Sequence, residues 1–572
     1  MEIVPKTTFL NKTNETNIKY KNVKINENTN GKGIKIGHGG FGKVYKVFSC
    51  NEKEKTFAQK HMYIFERDGN LIGQNLKEIS LGYKYLNNEN LQNFQNIYID
   101  NSKKEYVNSK YIVNMDLADM TFNELIYSKL SKNNRILFFF PILKQLLNGI
   151  KSIHTNFICH GDIKPENILI FGDKKLLNEC KTGENYLKDY LKTASFKITD
   201  YSGLNIEYNN SMDNTSTLYY KPPELFLKMD KKFKKSVKET HGEFNDVWSI
   251  GITMLEFLTQ SNIISKLYKN MKITEKEFLI RFFHCMKSVD ISLVLKNNDY
   301  NIDNYYVKNI INLLELMLTK KIKERINVNN LSLLIEHYTH KYHHLYKNNN
   351  ICMLNENKIN IIEYKSDIYI ENIDIKLRKN AINKLYEFLE IEEYSDPNDK
   401  QYIPLALTIF DRLISKNILN ENNLSNEYMY MKLLLECYYI ASKYLLSDID
   451  IIFFTEYLNI DIDDIHNDIL QIIKELDFDI YRPTILTILN KEDDDIYHSQ
   501  YVIDNAIYYF CDSENINTNN INIDNIKLID FDLKCIDELK LYDIDNELDE
   551  TNEIQINNNL TYPIPKLKRD EY

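Results

Sequence analysis

The stretch His160-Gly161-Asp162-Ile163-Lys164-Pro165-Glu166-Asn167 sets a carboxylate, an ammonium and a carboxamide within six residues of one another. Working outward from it, the chain changes character. Upstream, from Gly31, short β-type runs occupy residues 33 to 64 and Tyr111 to Asp116. Helical periodicity takes over in Ile136 to His154 and Asp246 to Thr259. A strand-rich first part followed by a mostly helical second part predicts two lobes with a cleft between them. An unusually long connection, residues 172 to 195, separates the quoted stretch from Phe196.

Further upstream, Ile36-Gly37-His38-Gly39-Gly40-Phe41-Gly42-Lys43-Val44 carries glycines that let backbone amides approach phosphate oxygens with no Cβ in the way. Taken alone, a glycine-rich hairpin without ligand fits that run equally well. Phe57-Ala58-Gln59-Lys60 falls on the next strand, where a lysine reaches α- and β-phosphates. Glu78, 18 residues later in a helical segment, is placed to pair with it. Downstream come Ile198-Thr199-Asp200-Tyr201-Ser202, Thr217-Leu218-Tyr219-Tyr220-Lys221-Pro222-Pro223-Glu224, Asp246-Val247-Trp248-Ser249-Ile250-Gly251, and Arg325, which can pair with Glu224.

In this order the motifs resemble those of eukaryotic protein kinases, and within them the cyclin-dependent group, over residues 31 to 346. The resemblance implies an α+β bilobal kinase fold and transfer of the γ-phosphate of ATP to serine or threonine of protein substrates. It implies Asp162 as the base for the acceptor hydroxyl, Lys164 as the cation neutralising the transferring phosphoryl group, and Lys60 as phosphate anchor partnered by Glu78. Asn167 and Asp200 become the Mg2+ ligands, and Gly37 to Val44 with Ile36 the ATP cradle. Met115 guards the back of the pocket, and Asp116 to Ala118 form the hinge that meets adenine. Lys164, two residues after Asp162, favours Ser/Thr over Tyr acceptors. Leu76-Lys77-Glu78-Ile79-Ser80-Leu81 looks like the helix by which these kinases grip cyclin.

From Asp374 to about Asn490 apolar residues recur at three- and four-residue spacing in Leu377 to Leu389, Pro404 to Ile414, Met431 to Leu446 and Ile465 to Leu476, which predicts an all-α domain. Asp411-Arg412, Ala441-Ser442-Lys443, Leu476-Asp477-Phe478 and Pro483-Thr484 together resemble a cyclin box. An unrelated amphipathic bundle shows the same periodicity. The resemblance implies a cyclin-like activator in cis, docked beside Glu78. Tethering makes that contact intramolecular, across a flexible span of about 25 to 30 Å.

The expected organisation is thus a polar extension (1 to 30, a tail or edge segment), kinase domain (31 to 346), linker (347 to 370), cyclin-like domain (371 to 511) and acidic Asn-rich tail (512 to 572). The 572 residues suggest three to four units, or two large ones, at roughly 150 residues each. With 71 basic and 82 acidic side chains the net charge is −11, which argues against nucleic-acid binding. Eight scattered cysteines form neither a Cys-x-x-Cys pair nor a zinc pattern, as expected of reduced intracellular thiols. The most apolar stretch, Leu137 to Leu147, is interrupted by Pro141 and Lys144, so no membrane span is expected and the cytoplasm or nucleus is the expected location.

Departures from the family pattern bear on regulation. Gly40 and Phe41 stand where cyclin-dependent kinases carry inhibitory Thr and Tyr. Gly161 replaces the arginine that binds a phosphorylated activation loop, Lys77 a second such arginine, and Asn205 lies near the third. Met212 aligns with the usual phosphothreonine, with Ser211 and Thr215 close by, so a kinase needing neither phosphorylation is expected. Gly82 sits where an apolar side chain packs one turn after Glu78, with Tyr83 expected to fill the space or the helix expected to order only under the second domain. Ser202, Lys221 and Leu445-Leu446 also differ from the pattern. The competing readings are a noncatalytic pseudokinase scaffold and a kinase whose α domain docks substrates.

Overall fold

The computed structural model describes residues 2–5, 34–39, 42–48, 56–84, 88–100, 106–155, 158–173, 176, 184–203, 205–206, 218–229, 242–268, 274, 279, 283, 290–351, 374–391, 402–416, 427–445, 447 and 449–481. Six antiparallel strands make the first lobe. They are β1 (Glu2–Pro5), β2 (Ile34–Gly39), β3 (Gly42–Phe48), β4 (Thr56–Tyr63), β5 (Phe94–Asp100) and β6 (Lys110–Asp116), in the order β1-β5-β6-β4-β3-β2. The first of these places part of the N-terminal extension on the sheet edge, Glu2 opposite Ile99. The central strand β4, TFAQKHMY, is buried on both faces from Phe57 to Lys60 because helix α1 (Gly73–Lys84) covers the sheet.

The second lobe is built on α3 (Lys132–His154) and α6 (Gly242–Thr259). The latter is apolar nearly all round from Val247 to Leu258, the signature of a helix in the middle of a core. Ser131 caps α3 by accepting from the Asn134 amide, and its buried Arg135 donates to the carbonyls of Leu130, Ile126, Ser128 and Phe257. By length and composition α3 as a whole could cross a membrane, but most of it lies inside the lobe. Around these stand β7 (Met120–Thr121), α2 (Phe122–Ile126), β8 (Ile158–Cys159), β9 (Ile168–Phe171), α4 (Glu184–Leu191), β10 (Ser195–Ile198) and β11 (Asn205–Ile206). Then follow α5 (Pro223–Met229), α7 (Ile263–Tyr268), α8 (Ile291–Asn297), α9 (Tyr305–Met317), α10 (Val328–Lys341) and α11 (His343–Asn348). Ile351 is still buried, so the lobe's packing runs past the boundary expected at residue 346.

Among the described residues five helices follow: α12 (Ile375–Leu389), α13 (Ile403–Ser415), α14 (Glu427–Tyr444), α15 (Ile451–Leu458) and α16 (Ile462–Glu475). α13 is buried along its whole length, and α14 packs against each of the other four. Arg378 closes the bundle by a bidentate pair with Asp411 at 2.7 and 2.9 Å. Arg412 donates to the carbonyl of Asp479 at 2.6 Å. Pro483, Thr484 and the expected acidic tail lie outside the described residues.

Candidate active site

Strand register places the first half of the site. Val44 stands opposite Lys60, and Gly39 opposite Gly42 across the glycine-rich turn, with Gly40 and Phe41 outside the described residues. Ile36 is half exposed at the mouth, Gly37 packs on Val44, and His38 and Lys43 are register partners in the same hairpin. Met115 lies opposite Ala58 and is buried, and Asp116 ends the strand that leads into Leu117 and Ala118. The Asp116 carbonyl accepts from Gln92 Nε2 at 3.1 Å.

Lys60 joins three parts of the chain. Its ammonium donates to both Glu78 oxygens at 2.6 and 2.7 Å and to Asp200 Oδ1 at 3.1 Å. Burial opposes the ammonium, yet the two carboxylates outweigh that cost and hold its pKa above the ordinary lysine value. Glu78 is pushed up to about 7 by burial and by Asp200, against the pull of Lys60. Asp200 sits at φ 66°, a left-handed conformation rare for a non-glycine residue.

The second half of the site is a loop pinned from below. Asp246, at the start of α6 and fully buried, accepts from the His160 amide at 2.7 Å, the Gly161 amide at 2.9 Å and His154 Nε2 at 2.8 Å. Gly161 takes φ 74°, which a glycine adopts without the Cβ penalty an arginine would carry. On this loop Lys164 donates to Asp162 Oδ2 at 2.6 Å. Asn167 donates to the Asp162 carbonyl at 2.9 Å and to Oδ2 at 3.2 Å. With the Asn167 amide N–H2 used this way, its oxygen is the atom able to meet a cation. Asp200, about a third exposed, offers a carboxylate on the facing segment, and this oxygen donor set suits Mg2+. Among the described residues no group of three or more His, Cys, Asp or Glu could hold a metal.

A column of rings connects the halves. Phe94 lies 5.9 Å from Tyr201, and Tyr201 6.2 Å from His160. Phe94 also fills the space beside Gly82, where a Cβ would stand 2.3 Å from Phe94 Cε2. This corrects the expectation that Tyr83 takes that space. Tyr83 packs instead against Phe478 of the helical bundle, ring centres 6.4 Å apart.

The bundle covers the outer face of α1. Gly73 approaches α14 so closely that a Cβ would fall 1.7 Å from the Lys443 carbonyl oxygen. Asn70 Oδ1 accepts from Tyr439 Oη at 3.1 Å and the Ile451 amide at 2.9 Å, while its Nδ2 donates to Asp450 at 3.2 Å. Tyr439 also accepts from the Leu71 amide at 2.9 Å. His466 Nε2 donates to the Gly69 carbonyl at 2.7 Å, a bond in which a carbonyl can only accept. Ser80 Oγ accepts from the Ile480 amide at 3.2 Å. Lys77 is buried here with its ammonium 5.9 Å from the centre of the Tyr444 ring.

The structure therefore brings Lys60, Glu78 and Asp200 together in one cluster, and Asp162, Lys164 and Asn167 in another. Glu224 and Arg325 pair bidentately at 2.7 and 2.9 Å, as the sequence suggested. Ser211, Met212, Thr215 and Thr217 lie outside the described residues, as do the side chains of Ser202 and Asn205. Sequence reading assigned no role to Phe94 or to the carboxylate of Asp246. The glycine at position 82 was the available signal for Phe94, since a missing side chain in a core calls for a larger one opposite.

Comparison with known proteins agrees with this geometry. The chain is 28% identical over 233 residues to CTD kinase subunit alpha of Saccharomyces cerevisiae, covering 40% of this chain and 37% of that protein. Cyclin-dependent kinase 9 of Homo sapiens is 31% identical over 238 residues (40% of this chain, 55% of that protein). The Danio rerio protein of the same name is 30% identical over 240 residues (40% and 56%). The chain thus spans about half or less of the length of these relatives. A model of the protein kinase domain matches residues 31–340, and the chain belongs to the protein kinase family.

Proposed function

We propose that the chain is an ATP- and Mg2+-dependent serine/threonine protein kinase of cyclin-dependent type, with the helices from residue 374 acting as a cyclin-like activator in cis. The observation that carries this reading is the bidentate Lys60–Glu78 pair on a helix whose other face is covered by the bundle. In this reading Asp162 accepts the proton of the acceptor hydroxyl, Lys164 balances charge on the moving phosphoryl group, and Asn167 and Asp200 hold Mg2+. Mg2+ held there would supply neutralisation of the phosphate charge. Lys60 anchors the phosphates beneath Ile36, Gly37, His38, Gly39, Gly40, Phe41, Gly42, Lys43 and Val44, and Asp116 and Ala118 present hinge backbone groups to adenine.

Activation in cis rests on the bundle's contacts with residues 69 to 83, since the kinase-domain match ends at residue 340. The Lys77 ammonium lies 5.9 Å from the centre of the Tyr444 ring of the bundle, so the residue standing for a loop-binding arginine is part of the α1–bundle face. A noncatalytic scaffold has no support in a site that keeps Lys60, Asp162, Asn167 and Asp200. The proposed organisation is a kinase domain (31 to 346, its packing extending to Ile351), a linker and a cyclin-like domain beginning near residue 371.

The test is phosphorylation of a degenerate Ser/Thr peptide library by the full chain, beside Asp162→Asn and a chain truncated before residue 371. The reading requires ATP- and Mg2+-dependent transfer by wild type, loss in Asp162→Asn and collapse on truncation. Full activity of the truncated chain removes the activator role. No transfer and no Mg2+-dependent ATP binding by wild type removes the enzyme.

A further inference from the structure

The connection between Gly172 and Ser195 carries none of the residues assigned to phosphoryl transfer, yet its helix α4 is fastened to Asp119, next to the residues assigned to the hinge. Tyr190 on α4 is fully buried, its ring so close to β9 that a Cβ on Gly172 would stand 2.5 Å from it. Its hydroxyl donates to Asp119 Oδ2 at 3.0 Å, and the Gly172 amide donates to the same oxygen at 2.8 Å. The Asp119 amide donates to the Ile170 carbonyl at 3.0 Å. Side chain and backbone of Asp119 are thus held by β9 and α4 together. Asp119 directly follows Ala118, the hinge residue assigned to the base. On the same helix, Lys188 Nζ meets Asn349 Oδ1 at 3.1 Å, at the end of the lobe's last helix.

We infer that α4 is a brace for the hinge, and that Tyr190 is a positioning residue acting through Asp119 on the Ala118–Asp119 peptide that faces the purine of the nucleotide. The inference rests on the reading of this cleft as an ATP site. Two donors on one carboxylate oxygen remove the freedom of the adjoining peptide to turn, so less ordering remains to be done when nucleotide binds. None of Tyr190, Asp119 and Gly172 is among the residues assigned to the γ-phosphate or the acceptor, so the brace acts on nucleotide affinity and leaves the transfer step alone. The Lys188–Asn349 contact ties the brace to the end of the kinase lobe, where the chain departs toward the helical bundle.

The test uses the full chain with Tyr190→Phe, which removes the hydroxyl and keeps the ring against Gly172, and with Asp119→Ala. Expected is a rise of roughly three- to tenfold in KM for ATP and in the Kd of the Mg2+–ATP complex, with kcat changed less than twofold, as for loss of a buried hydrogen bond to a charged group. Amide hydrogen exchange at residues 117 to 119 should quicken in both variants. Asp119→Asn keeps an acceptor oxygen and should restore most of the affinity. A purely structural role would lower the melting temperature and leave the ATP constants where they are. Unchanged ATP constants and unchanged hinge exchange in Tyr190→Phe would overturn the brace. If wild type neither binds nor turns over ATP, the kinase reading fails, and the exchange comparison, which needs no turnover, still decides the brace.

Discussion

Gly82→Ala should cripple the enzyme although alanine is the better helix former. The added methyl would sit 2.3 Å from Phe94 Cε2 and 2.6 Å from Cζ, about 1 Å inside ordinary carbon contact of about 3.5 Å. The ring has little room to move, because Phe94 is buried and packed against Tyr201 at an interplanar angle of 58°. Overpacking of this kind costs ~1–3 kcal/mol, and the helix-propensity gain of ~1 kcal/mol offsets part of it. The remainder, up to about 2 kcal/mol, is relieved most readily by moving α1 outward, which draws Glu78 away from Lys60. A loss of about 1.4 kcal/mol in transition-state stabilisation is tenfold in kcat/KM. The pairing with Phe94 is tested by a double-mutant cycle. Phe94→Leu alone leaves a gap beside Gly82, and the double variant Gly82→Ala with Phe94→Leu should recover most of both losses, a coupling of about 1–2 kcal/mol. Peptide phosphorylation and urea unfolding on the same four proteins measure it. Additive effects, or a Gly82→Ala enzyme as active as wild type, would refute the complementarity of the two positions.

At the face shared with the bundle, Asn70→Ala removes the acceptor of Tyr439 and of the Ile451 amide. Leaving such buried donors unsatisfied costs ~1–3 kcal/mol, so kinase activity should fall and limited proteolysis around residues 69–72 should accelerate. Arg325→Ala leaves the buried Glu224 carboxylate uncompensated. A thermal shift assay should show destabilisation by about 3–5 kcal/mol, with Arg325→Lys recovering little because lysine cannot restore the bidentate geometry. Glu78 titrates near 7 in the folded protein and near 4.5 when unfolded. Between those values the folded state holds the extra proton, so the stability contribution of this carboxyl falls as pH rises through the window. Activity should rise through the same window as the ion pair forms, and a pH–rate profile whose acid limb stays fixed near 4.5 would contradict the assignment.

The motifs on which the reading began were legible because each is local in sequence. The spacing of Asp162, Lys164 and Asn167, the strand carrying Lys60 and the periodicity of α3 and α6 each depend on residues within one element. What escaped depends on contacts between elements. Phe94 matters because Gly82, twelve residues before it, makes room for it, and Asp246 matters because three donors converge on it from two other segments. The Asp119–Tyr190 contact spans an insertion whose composition gives no hint of a buried tyrosine. The edge strand Glu2–Pro5 gave no periodic signal because its partner, β5, supplies the register.

The burial of α1 links catalysis to the bundle most directly. Its sequence, GQNLKEISLGYK, is too polar to be buried on every side by its own lobe, yet Lys77, Glu78, Ser80 and Tyr83 are all buried. Glu78 is satisfied from the sheet side by Lys60, whereas Ser80, Lys77 and Tyr83 meet Ile480, Tyr444 and Phe478 of the bundle. Without the bundle these three residues would regain water, and the helix would lose the apolar contacts that offset the desolvation of the Lys60–Glu78 pair. The buried ammonium of Lys60 would then favour a rearrangement that exposes it. Under the proposed function, the position of the Lys60–Glu78 pair therefore depends on the bundle contacts made by Tyr444, Phe478 and Ile480 on the opposite side of α1.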